Sequence, residues 1–311
     1  MFDPGVHQSL MAELEWISAE LQSDLNPAVA APEQLFHHTD AHGLQALVRD
    51  QALHALHSRL GWGDDVTGYG IDLVQSFLQF RAATSQPGAS AEFCNALLAN
   101  FHPRGSHFDC FLARLFEDAD GPDRQGNTCP GYALGLSTNH MALRAEQRHE
   151  GAAVLLQQAI YLRRQQLDII GRTYATYESF YARSLLRYGS AGQDTILTPC
   201  WDMFRRDIGE FLPRFRSPAR NHEKEWLAIA LTDADQEEDG VFFDVVDNRL
   251  VPAVRLDISR PSRNGSRALP LQSLVIGSAL PYEITREALQ VFLSRNRTSF
   301  VKISPSSVPR G

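Results

Sequence analysis

The sequence predicts an α+β protein whose sheet is mixed or antiparallel. Two observations predict it. Through most of the first two thirds, apolar residues recur three and four apart, the period of helices packed on one face. In the last third, short alternating apolar runs lie between turn residues, as strands do. The length of 311 residues allows one large or two ordinary domains. A hydrophobic content of 43% supplies a real core. The net charge of −8 argues against a surface given over to nucleic acid.

The spacing of Leu10, Leu14, Ile17 and Leu21 predicts a helix over 6–24. Such a helix packs on the outside of its own domain or forms a short dimer seam. Pro27 and Pro32 then mark a linker. The domain reading is therefore a helix and linker over 1–33, followed by one α+β domain over 34–311. Residues 35–57 predict a short strand, a turn rich in histidines, and a helix carrying His54 and His57. The turn contains His37, His38, Thr39, Asp40, His42 and Gly43, of which Thr39 and Asp40 suit a helix cap.

A glycine- and aspartate-containing loop is expected over 61–70, then helices over 71–83 and 90–101. Strands are expected over 108–115 and 131–137, joined by a polar loop. Gly131 and Gly135 in the second imply a close backbone approach. A helix over 139–149 and a strand over 154–161 precede long helices over 163–188 and 201–211. A strand over 223–231 follows, then a hairpin pairing 241–246 with 250–258. A basic loop over 259–270, a strand over 271–277, a helix over 283–293 and a last strand over 299–303 complete the chain.

Three sets of residues could carry chemistry. His38 and Thr39 sit where a strand meets a helix start, which suits a ligand hydroxyl or phosphate; a satisfied histidine and a plain cap are the alternative. Glu223 and Glu225 fall on the apolar face of a strand, costly for a carboxylate unless paired or used; an exposed strand end is the alternative. His38 with His42, and His54 with His57, have spacings seen in metal sites. The turn breaks the first pair, and no His-Glu-x-x-His run exists, so no metal is expected. Cys94, Cys110, Cys129 and Cys200 are scattered, as reduced thiols of a cytoplasmic protein would be. The start lacks the pattern of a signal peptide, and no apolar run reaches membrane-spanning length. Phosphate-loop, dinucleotide-fingerprint and Gly-x-Ser-x-Gly motifs are absent from the sequence.

The order of the pieces resembles the bacterial family called domain of unknown function 2971. Leu35-Phe36-His37-His38-Thr39 and the helix from Gly43 match its opening strand and helix. Phe111 to Asp120 matches its strand and acidic loop, and Gly131 to Leu136 its Gly-Tyr-Ala-Leu-Gly strand. Glu223-Lys224-Glu225-Trp226 matches its Glu-x-Glu-Trp stretch. Leu274 to Gly277, the helix to Leu293 and Ser304 to Arg310 match its closing segments. That family is similar to the ADP-ribosyltransferase-like proteins.

The resemblance implies a split sheet holding NAD as substrate in a cleft. His38 would hold the nicotinamide ribose, with Thr39 beside it. Glu225 would be the catalytic carboxylate and Glu223 its reserve, because a fixed carboxylate stabilises the oxocarbenium character of the breaking bond. The family's Trp-x-x-Tyr shelf is replaced here by Asp123-Arg124-Gln125-Gly126-Asn127, and Tyr132 is the substitute. The implied function is an NAD-using ADP-ribosyltransferase or NAD glycohydrolase with a protein or nucleic-acid acceptor, serving as a toxin or anti-phage effector. The alternative is a non-catalytic nucleotide- or partner-binding module on the same fold. A metal-dependent hydrolase built on the histidines is the third reading.

Overall fold

Two compact units interleave along the chain. The first comprises Met1–Ala28, Gly63–Asp109 and Ile160–Ala219; the second comprises Val29–Trp62, Cys110–Ala159 and Arg220–Gly311. The computed structural model describes residues 4–27, 29–62, 64–101, 110–120, 131–141, 144–145, 154–189, 193–230, 240–246, 248–261, 267–298 and 300–308. The protein is mixed α+β with a mixed sheet.

The first unit is helical. It contains α1 (Pro4–Leu25), α4 (Asp64–Thr84), α5 (Ala89–Asn100), α6 (Arg163–Tyr188) and α7 (Gln193–Phe211). On α6, Tyr174, Tyr177 and Tyr181 recur three and four apart, and all three are buried. They meet Phe204, Ile208 and Phe211 of α7 and Leu10, Leu14, Leu21 and Leu25 of α1 in one core. A buried carboxylate, Asp207, lies within it. It accepts from the Ser18 hydroxyl at 2.8 Å and from the Tyr177 hydroxyl. This grouping differs from a single domain with an outlying N-terminal helix: α1 belongs to the core of the helical unit. The described residues of the loop expected over 61–70, namely 61–62 and 64–70, are helical instead, and Gly70 packs directly on the Leu212 backbone, where a side chain would not fit.

The second unit carries β1 (Gln34–Thr39), α2 (Ala41–Asp50), β2 (Ala52–His57), α3 (Ser58–Trp62), β3 (Phe111–Phe116), β4 (Tyr132–Ser137), β5 (Arg144–Ala145) and β6 (Val154–Gln158). It continues with β7 (Glu225–Ala230), β8 (Val241–Val246), β9 (Arg249–Asp257), β10 (Arg260–Pro261), β11 (Arg267–Ala268), β12 (Leu271–Ile276), α8 (Tyr282–Arg295) and β13 (Lys302–Pro305). Eleven of these strands form one sheet, and β10 pairs with β11 apart from it. Only the β12–β13 pair is parallel among the described strands.

His54 and His57 sit on β2 rather than on a helix. The run Ala-Leu-His-Ala-Leu-His fits a strand with one apolar face as well as it fits a helix. The helix expected over 139–149 is not formed in its described part: Arg144 and Ala145 pair with β9, and 142–143 and 146–149 lie outside the described residues. The loop over 121–130 also lies outside them.

One irregularity of the sheet positions the site. Along one edge, β3 pairs with β7 over its full length, Phe111↔Ala230 to Phe116↔Glu225. The other edge is shared. Phe116 pairs with Phe36 of β1, whereas Phe111 and Leu112 pair with His57 and Leu56 of β2. Between those contacts β1 and β2 diverge, and α2 joins their ends. The sheet is thus split at β3. Directly opposed residues project to the same face. By that register His38, Phe36, Phe116, Arg114 and Glu225 share one face. Leu35, Leu115, Trp226 and Tyr132 belong to the apolar core of the other.

No helix among the described residues is long and apolar enough to cross a membrane.

Candidate functional site

A cavity of about 260 Å³ opens at the split. Its walls include His37, His38 and Thr39 from β1 and His54 and Leu56 from β2. Asp40 and Gly43 of the α2 start, Trp62 of α3 and Asp244 of β8 complete the polar and aromatic lining. Local sequence explains the α2 end. Asp40 is the cap, extended at φ −85°, and its carboxylate accepts from the Gly43 N–H at 2.8 Å. A β-carbon at 43 would overlap the Thr39 hydroxyl, which would have to turn aside.

His37 fills the divergence itself. Its Nδ1 lies 3.0 Å from the Arg114 carbonyl, which only accepts, so Nδ1 carries the proton. Burial lowers the His37 pKa and keeps the ring neutral. His38 sits edge-on to Phe116, with ring centroids 5.2 Å apart. Burial, the largest cause, brings its pKa down to about 4, against a backbone hydrogen bond with Asp118 that raises it. Its Nε2 is buried with no hydrogen-bond partner. An unpaired buried imidazole nitrogen costs about 1–3 kcal/mol.

These shifts carry a pH dependence. Both histidines have folded pKa values below the unfolded value near 6.5, so the unfolded chain binds more protons at acid pH. Stability should therefore fall as pH drops from about 6.5 to about 4, by about 3 kcal/mol at most for His38. Urea titrations across that range check this; His38→Phe should flatten the profile. An unchanged profile would mean that His38 titrates normally in the fold.

The glutamates lie elsewhere. Glu223 ends a 3-10 turn, Pro218–Glu223, and Lys224 adopts a left-handed φ of 45° before β7 starts at Glu225. That bend brings both carboxylates to one cation. Arg114 Nε donates to Glu225, and Arg114 Nη2 donates to Glu223 Oε2 at 3.3 Å. Arg220 Nε holds Glu223 Oε1 at 2.7 Å. The Arg114 guanidinium also lies 5.3 Å from the Phe116 ring centre and 5.4 Å from that of Trp62. Glu225 is 0% exposed, and neither glutamate lines the cavity.

Of the residues singled out from sequence, His38 and Thr39 therefore meet at the cavity. Glu225 and Glu223 meet each other at Arg114, on the face that carries His38. Tyr132 is a correction: it packs in the opposite core, where burial raises its pKa, and does not line the cavity. Its alternation on β4, opposite Thr39 rather than His38, put it there. Among the described residues, no three His, Cys, Asp or Glu side chains gather as a metal site would require.

Sequence reasoning missed Trp62, Arg114 and the His54 cluster. Trp62 is the aromatic wall of the cavity, and its indole N–H donates to the Leu112 carbonyl at 3.2 Å. A tryptophan between two glycines was the available signal. His54 Nδ1 lies 2.7 Å from Asp244, and Nε2 lies 3.2 Å from Asp50. Asp50 is lowered to about 2, chiefly by the Arg49 hydrogen bond. Nothing local in the sequence joins residues 54 and 244. No family model, curated protein or solved structure matches the chain.

Proposed function

We propose that the chain is an ADP-ribosyltransferase-like module that binds the nicotinamide-ribose end of NAD, or a related nucleotide, in the split, without cleaving it through Glu225. One observation carries the choice. The carboxylate expected to do the chemistry is fully buried, neutralised by Arg114 and absent from the cavity wall. A carboxylate stabilises an oxocarbenium ion only where it can face the charge. The binding parts are better supplied. His38 and Thr39 line the cavity, and Trp62 offers a ring.

The second reading is a cytoplasmic ADP-ribosyltransferase acting as a toxin or anti-phage effector. It is favoured by His38 and Glu225 lying on one face of the sheet with Phe116 between them. It requires Arg114 to release Glu225.

Calorimetry with NAD tests the first reading. Wild type should bind. His38→Ala should weaken binding about tenfold, the scale of one hydrogen bond into a buried site. Trp62→Ala should do likewise, and Glu225→Gln should bind as wild type does. Equal binding by His38→Ala and wild type would remove the cleft from the account.

A further inference from the structure

We propose that the cleft selects a nucleoside without phosphate, and that Asp40 sets this selectivity. The proposal rests on the cleft being a nucleotide-type site and narrows what enters it. A helix start normally draws phosphate, through its free N–H groups and positive dipole end. The start of α2 borders the cavity, yet its anion position is already filled. Asp40 Oδ1 accepts from the Gly43 N–H, and Asp40 itself lines the wall.

The other charges point the same way. Asp244 is a second carboxylate on the lining, held by His54 Nδ1 at 2.7 Å. Among the described residues that line the cavity there is no lysine or arginine. His37 and His38 are kept neutral by burial and supply no cation. A phosphate would therefore enter beside two carboxylates, with no lysine or arginine on the wall to meet it. A neutral ribose instead meets the uncharged His38 side of the wall, and a flat ring meets Trp62. A cationic ring such as nicotinamidium is favoured by the same carboxylates. Size agrees: about 260 Å³ lies below the roughly 300–1,000 Å³ of cavities that enclose drug-sized ligands, so the cavity encloses one nucleoside and would leave the rest of a dinucleotide outside it.

The test is calorimetry on the intact chain with nicotinamide riboside, its 5′-monophosphate and NAD at low salt. The riboside should bind about five- to tenfold more tightly than the monophosphate, the scale of one partly screened like-charge contact. Asp40→Asn keeps a capping side chain and removes the charge. It should shrink the gap to less than about twofold, the residue left once that contact is gone. Raising the salt should narrow the gap in wild type, which tests the electrostatic cause independently of any variant. Tighter binding of the monophosphate or NAD, or a gap untouched by both Asp40→Asn and salt, would overturn the proposal and leave the nucleotide reading standing. Binding of none of the three would overturn both.

Discussion

A chain lacking residues 1–27 should fail to fold its helical unit. Leu10, Leu14, Leu21 and Leu25 are all at least 93% buried there. At about 1.5–3 kcal/mol each, their burial approaches the whole stability of an ordinary domain, about 5–15 kcal/mol. The deletion also strips Asp207 of two contacts to α1. Ser18 donates to its carboxylate, and the Gln22 side-chain amide donates to its carbonyl at 3.2 Å. A buried carboxylate that loses a donor adds to the loss. The expected outcome is aggregation or a melting temperature lower by more than about 15 °C, the shift that several kcal/mol produces. Leu14→Ala alone should cost about 2–5 kcal/mol. A truncated chain that melts like the full one would show α1 to be peripheral.

The second large effect is at Arg114. Arg114→Met should destabilise by about 3–5 kcal/mol, because it takes the Arg114 guanidinium away from the buried Glu225 carboxylate. Glu223 loses less, since Arg220 still holds it. Replacing the pair together, Arg114→Met with Glu225→Leu, should recover most of the loss, as apolar replacements of buried ion pairs do. Urea denaturation of wild type and the two variants decides this. A single mutant as stable as wild type would mean that Glu225 does not depend on Arg114.

What could be read from sequence was local. The β1 strand and the α2 cap follow from a Thr-Asp pair set before a glycine and an apolar stripe. The long α6 helix follows from its repeated tyrosines, and the β8–β9 hairpin from two alternating runs around a turn. His38 and Thr39 were found because they are neighbours on one strand end.

The rest depends on distant partners. Arg114 and Glu225 stand 111 residues apart, so spacing around Glu225 could only say that it must be paired or used. The apolar stripe of α1 gave no sign of its partners on α6 and α7, more than a hundred residues on. Interleaving of the two units hid them further, since each unit is assembled from three separate stretches of chain. Tyr132 was misplaced for a smaller reason. Its face depends on the register with β1, and a shift of one residue reverses it.

The most direct test of the account is nicotinamide release from NAD by wild type and Glu225→Gln, each first shown by calorimetry to bind. Both proteins should bind NAD, and neither should release nicotinamide. Release by wild type that falls about a hundredfold or more in Glu225→Gln, the scale of losing one preorganised electrostatic group, would contradict it and make Glu225 the catalytic carboxylate.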